Sequence, residues 1–176
     1  MIQLLIKRFY ISLSTLPTAN HLQNLGLPLI GLTALLLFIG FQSNFLQIHI
    51  LQKSWQEILK IVVFSFFIPG LSEEIFFRAL FLPHPTENFS IPAQIIWGLL
   101  GLIAFIIYHP LQGLTWNPSG QKVFLEPTFL VLAALLGAIC TIAYFISGSI
   151  WLTVIIHWVA VVIWIILLGG FTKFAY

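Results

Sequence analysis

In a sequence almost free of charge, three ionisable side chains fall within six residues, Glu73-Glu74-Ile75-Phe76-Phe77-Arg78. On an α-helix, residues four apart share a face, so Glu74 and Arg78 can pair. Glu73 precedes Glu74 by one position and points about 100° away around the helix. It is left as a carboxylate with no cation on its own segment. Such a group must find a hydrogen-bond partner on another helix, and a carboxylate that can take and release a proton is what general acid–base catalysis needs. Ion pairs of this kind also serve as structural anchors, so the cluster alone leaves both readings open.

His109 and His157 change the balance, because each lies late in, or within, a different apolar run. A single imidazole on an apolar helix is more often a satisfied structural group than a base or a ligand. Two of them together with Glu73 can order a water molecule and polarise a carbonyl. The same three side chains could instead supply three ligands to Zn²⁺ with the fourth position open. His109 precedes Pro110, which predicts that it ends its helix, whereas His157 sits mid-run. His21, His49 and His84 occupy polar or loop contexts and receive no role. Cys140 is the only cysteine and lies in an apolar run, where a buried free thiol is expected. There is no Asp, hence no aspartyl dyad, and no H-E-x-x-H zinc-protease helix.

The elements that must carry these groups follow from composition. Of 176 residues, 60% are hydrophobic and 7% charged, against about 25% charged in a soluble domain. Residues 9–52, 88–121 and 127–172 carry no Asp, Glu, Lys or Arg. A membrane-crossing helix needs roughly 20 apolar residues, so the chain is predicted to be an all-α integral membrane protein. The bundle has about five transmembrane helices: residues 25–41, an irregular second span at 57–82, 93–108, 127–146 and 150–169. In the second span Pro69-Gly70 should kink the helix, and Ser72 is placed to cap the helix after the kink. The last two spans are joined so closely, at Ser147-Gly148-Ser149, that they form a tight helical hairpin. Residues 83–92 and 111–126 read as loops. Residues 1–24 read as an N-terminal interfacial helix or loose arm, and 25–176 as a single multi-span membrane domain. Lys7-Arg8 follows the first apolar residues, the wrong order for a cleaved signal peptide. Lys7 and Arg8 balance Lys53, Lys122 and Lys173 on the opposite side, so the positive-inside rule gives no orientation. The lipid bilayer is the expected surroundings, and a net charge of +2 without a basic cluster speaks against nucleic acid as a partner.

Taken in order, these motifs resemble a known family. Glu73-Glu74-Ile75-Phe76-Phe77-Arg78 matches E-E-x-x-x-R, Phe105-Ile106-Ile107-Tyr108-His109 matches F-x-x-x-H, and His157 stands where H-x-x-x-N/D begins. Residues 58–170 are thus similar to the CAAX protease and bacteriocin-processing family of intramembrane endopeptidases, also called the Abi family, which includes the Ras-converting CAAX endopeptidase. The resemblance implies a membrane-associated peptide or protein substrate. It implies that Glu73, with His109, activates the attacking water, that His157 stabilises the oxyanion, and that Glu74 and Arg78 support them from behind. It implies no cofactor, with Zn²⁺ on Glu73, His109 and His157 as the alternative. One position departs: four residues after His157 the family has Asn or Asp, and here stands Val161. Removing one oxyanion donor costs about 10²–10³ in rate. Either Thr153 or the indole of Trp158 takes its place, or the chain is a non-catalytic relative, a membrane scaffold or immunity-type protein.

Overall fold

The computed structural model describes residues 2–174. Among these the chain is all-helical apart from turns and one isolated bridge, His49 to Leu168. Helices are the expected outcome, because in lipid each backbone N–H and C=O needs an internal partner. In chain order they are α1 (Ile2–Ser14), α2 (Ala19–Gln42), α3 (Trp55–Ser65), α4 (Ser72–Glu74), α5 (Ile91–Leu114), α6 (Gln121–Phe124), α7 (Pro127–Ser147), α8 (Ile150–Leu167) and α9 (Gly170–Phe174). α2, α5, α7 and α8 are long and apolar enough to cross a membrane, and the protein is an integral membrane protein.

The irregular second span runs from α3 to Leu80. The π-helical turns Phe66–Leu71 and Ile75–Leu80 flank α4, and the backbone is extended at Ile68 (φ −134, ψ 113), just before Pro69. Ser72 does not cap a new helix. The helix that follows the break at Ile68 is already under way at Leu71 and Ser72, so Ser72 is not at its N-terminus, and the Ser72 hydroxyl donates to the Pro69 carbonyl at 3.4 Å. Gly70 permits the close fit of this kink. A Cβ there would meet the Ser65 carbonyl oxygen at 3.0 Å and Trp158 Cβ at 3.4 Å.

Three further boundaries differ from the sequence reading. α2 starts at Ala19, six residues before 25, because Thr18 accepts from the His21 N–H while His21 Nδ1 accepts from the Thr18 N–H. Imidazole does here what Glu usually does in a capping box. α5 does not stop at His109-Pro110 but continues to Leu114. Proline inside a membrane helix is tolerated where its surroundings accommodate the lost backbone bond, and His109 therefore stands more than a turn from the helix end. Finally, residues 111–126 are only partly loop, since α6 lies within them and buries Val123 and Phe124.

α7 is the central helix, with α2, α5 and α8 packed around it. Its turn into α8 needs Gly148, which sits at φ +66. α8 is tied to its neighbours by indole donors, Trp158 Nε1 to the Val62 carbonyl and Trp151 Nε1 to the Leu13 carbonyl, both at 2.8 Å. α1 is docked rather than loose. Arg8 grips Glu87 with Nε and Nη2 at 2.7 and 2.8 Å, and Ser12 meets the Tyr144 hydroxyl at 2.7 Å. Burial pushes the Glu87 carboxyl up, but the Arg8 guanidinium and the His84 N–H outweigh it and hold the carboxyl below its usual range. His84, given no role from sequence, is buried beside this pair. Its ring bridges Thr86 and the Gly148 carbonyl, and burial pushes its imidazole below the ordinary value. This latch joins α1, the 83–90 connection and the α7–α8 turn at one end of the bundle. An aromatic cluster of Phe45, Phe77, Phe105, Phe124 and Phe129 fills the core towards the other end.

Candidate active site

Glu73 and Glu74 lie on the single α-turn between the two π-helical turns, and this geometry separates the adjacent carboxylates. Glu74 turns inward and is 0% exposed; its Oε1 accepts from Arg78 Nη1 at 3.0 Å and from His157 Nδ1 at 2.8 Å. The pairing of Glu74 with Arg78 thus forms as the four-residue spacing predicts. Arg78 is completed by the Gly137 carbonyl at 2.9 Å and by the Phe105 ring, 4.8 Å from Cζ to centroid. Glu73 faces the other way, into a cavity of about 840 Å³. Its Oε2 lies 3.9 Å from His157 Nε2, and among the described residues that oxygen has no hydrogen-bond partner.

His109 and His157 line the same cavity as Glu73. The His109 Nδ1 lies 2.9 Å from the Phe105 carbonyl oxygen. A carbonyl only accepts, so Nδ1 carries the proton and Nε2 of the neutral ring carries the lone pair. His157 also uses Nδ1, donating to the Glu74 carboxylate, which turns its Nε2 toward Glu73. The rest of the cavity wall is almost wholly apolar, built by α2, α7 and α8 with Phe45, Phe124 and Trp164. In such surroundings charge interactions are stronger than in water.

A family model for Type II CAAX prenyl endopeptidase Rce1-like proteins matches residues 54–163, more than half of the chain. The chain belongs to this family. No curated protein and no solved structure matches it. As an Rce1-like chain it carries its two acids and two imidazoles inside the matched region, on the broken span, α5 and α8.

Val161 also lines the cavity, so the departure from the motif lies at the site itself. Neither expected substitute is available. The Thr153 hydroxyl donates to the Ile150 carbonyl at 2.8 Å, and the Trp158 indole donates to the Val62 carbonyl at 2.8 Å. The zinc alternative does not fit this arrangement. Among the described residues no three His, Cys or Glu side chains are grouped closely enough to hold one metal ion, although donation from Nδ1 to a carbonyl and to a carboxylate leaves Nε2 of both site histidines free. In the sequence Phe105 is only a motif letter, yet its ring stands edge-to-face with both imidazoles, at 4.7 Å from His109 and 6.1 Å from His157.

Proposed function

We propose that the protein is an intramembrane endopeptidase that hydrolyses peptide bonds of membrane-associated substrates. The observation that carries this reading is that Glu73, His109 and His157, from three separate elements, line one apolar cavity. In the proposed reaction Glu73 takes a proton from water, with the His109 Nε2 lone pair holding that water. The water oxygen attacks the scissile carbonyl carbon. His157, when protonated on both nitrogens, donates from Nε2 to the resulting oxyanion. Glu74 holds the other side of the ring, and Arg78 offsets the Glu74 charge. Collapse breaks the C–N bond, and the leaving amine takes the proton from Glu73.

The test is cleavage of a membrane-peptide library by the purified protein in detergent, with Glu73→Ala alongside. Cleavage by the native chain alone is expected, and equal cleavage by both removes the proposal. A chelator arm in the same assay is expected to leave the rate unchanged. Val161 favours a second reading, a non-catalytic relative acting as a membrane scaffold or immunity-type protein, because the site lacks the motif's amide. That reading predicts that a cellular phenotype survives Glu73→Gln at unchanged protein level. Loss of the phenotype counts against it.

A further inference from the structure

We infer that Phe105 is a positioning residue that fixes the two imidazoles and the guanidinium of the site relative to one another; this rests on the peptidase reading above. The Phe105 ring centroid lies 4.7 Å from His109 at an interplanar angle of 83°, and 6.1 Å from His157 at 77°. Arg78 Cζ stands 4.8 Å from the same centroid, and Phe77 meets the ring at 5.1 Å and 89°. An aromatic ring has a negative face and a positive edge, so cations sit over the face and neighbouring rings prefer edge-to-face contact. Each of these contacts therefore has a preferred direction as well as a distance. An aliphatic side chain of similar bulk fills the space without imposing directions.

Phe105 also acts through its backbone. Its carbonyl accepts the His109 Nδ1–H at 2.9 Å, which leaves the lone pair on Nε2. One residue thus governs both the tautomer of His109 and the angle at which its ring stands. Phe105 is itself immobilised, being 1% exposed. A Cβ on Gly137 of α7 would lie 3.0 Å from Phe105 Cδ1. The Gly137 carbonyl also receives Arg78 Nη2, so the α7 backbone fixes Arg78 and the aromatic ring at one point. Gly137→Ala would therefore crowd the Phe105 ring, together with Leu102 Cδ1 at 2.9 Å, without replacing any of the ionisable groups.

The experiment has two arms. In the first, kcat and KM are measured on a peptide that the native protein cleaves. Phe105→Leu and Gly137→Ala are expected to lower kcat per folded enzyme by about a hundredfold, as misplacement by about an ångström does, with KM held within about twofold, and Phe105→Tyr to restore most of kcat. In the second arm, ¹⁵N-histidine spectra in detergent are assigned with His109→Gln and His157→Gln. One fixed tautomer per site ring is expected in the native protein. In Phe105→Leu the carbonyl of residue 105 still holds His109 Nδ1–H, so the tautomer is expected to persist while the signals of both site imidazoles broaden as the rings lose their fixed angle. Site imidazole signals as sharp as native in Phe105→Leu, or a lower melting temperature with native kcat, overturns the inference. Failure of the native protein to cleave anything counts against the peptidase reading alone, since the spectra still decide the positioning role.

Discussion

Replacing Arg78 with Met tests whether the buried ion pair is held as the geometry indicates. Both side chains are out of solvent, Arg78 at 2% and Glu74 at 0% side-chain exposure. The Gly137 carbonyl keeps a donor when Arg78 is removed, because the Thr141 hydroxyl also reaches it at 2.8 Å. Methionine retains most of the bulk. What remains is a Glu74 carboxylate held by His157 Nδ1 at 2.8 Å, with an Oε2 that has no hydrogen-bond partner among the described residues. Removing one partner of a buried pair costs about 3–5 kcal/mol, and loss of the contact with Phe105 adds about 0.5–2 kcal/mol. In the double variant Glu74→Gln/Arg78→Met the uncompensated charge is gone, while the Gln carbonyl can still accept from His157. Its cost should fall to about 1–2 kcal/mol, since removing both partners of a buried pair is often near neutral. Denaturant titration in mixed micelles, followed by the fluorescence of the six tryptophans, measures this. A single variant costing under about 1 kcal/mol, or a double variant costing the sum of the singles, refutes the reasoning.

Val161→Asn restores an amide at the cavity wall and should raise kcat at least tenfold, toward the roughly 10²–10³ that one oxyanion donor supplies; an unchanged or lower kcat on the same peptide means the donor is not limiting. Gly148→Ala places a Cβ 2.5 Å from His84 Nε2 at a positive φ, so a loss of about 2 kcal/mol or more is expected, and His84→Ala in the same chain should recover only the steric part. Glu87→Gln weakens the latch to Arg8. The folded Glu87 carboxyl is held below its usual range, so its contribution is complete above the unfolded value of about 4.3 and fades as pH falls through the lower folded value. Unfolding curves should therefore show the variant less stable by about 1.5–3 kcal/mol at pH 7 and the difference closing below about pH 4; a gap that widens in acid contradicts this.

Much of the architecture is legible because lipid leaves the chain few choices. Long uncharged runs must become helices, and the spacing of Glu74 and Arg78 requires their pairing on one face. Pro69-Gly70 marks the broken span correctly, but Pro110 misleads, since a proline signals a helix end only where its surroundings do not accommodate the lost backbone bond. The start of α2 is hidden because His21 performs a capping function that sequence patterns assign to Glu or Gln. The latch of Arg8, Glu87 and His84 joins residues distant in sequence, and no local pattern points to it. Likewise, that Thr153 and Trp158 are already committed as donors depends on which carbonyls face them across and along helices. Residue type and periodicity carry no such information.

The most direct measurement is a single turnover in H₂¹⁸O, comparing the native protein with Glu73→Gln. If Glu73 activates a water that attacks the substrate, the new C-terminal carboxyl gains one ¹⁸O in the first turnover and Glu73→Gln forms no product. Unlabelled first-turnover product means the enzyme's own carboxylate attacked, and equal turnover by both proteins means Glu73 activates nothing; either result contradicts the account.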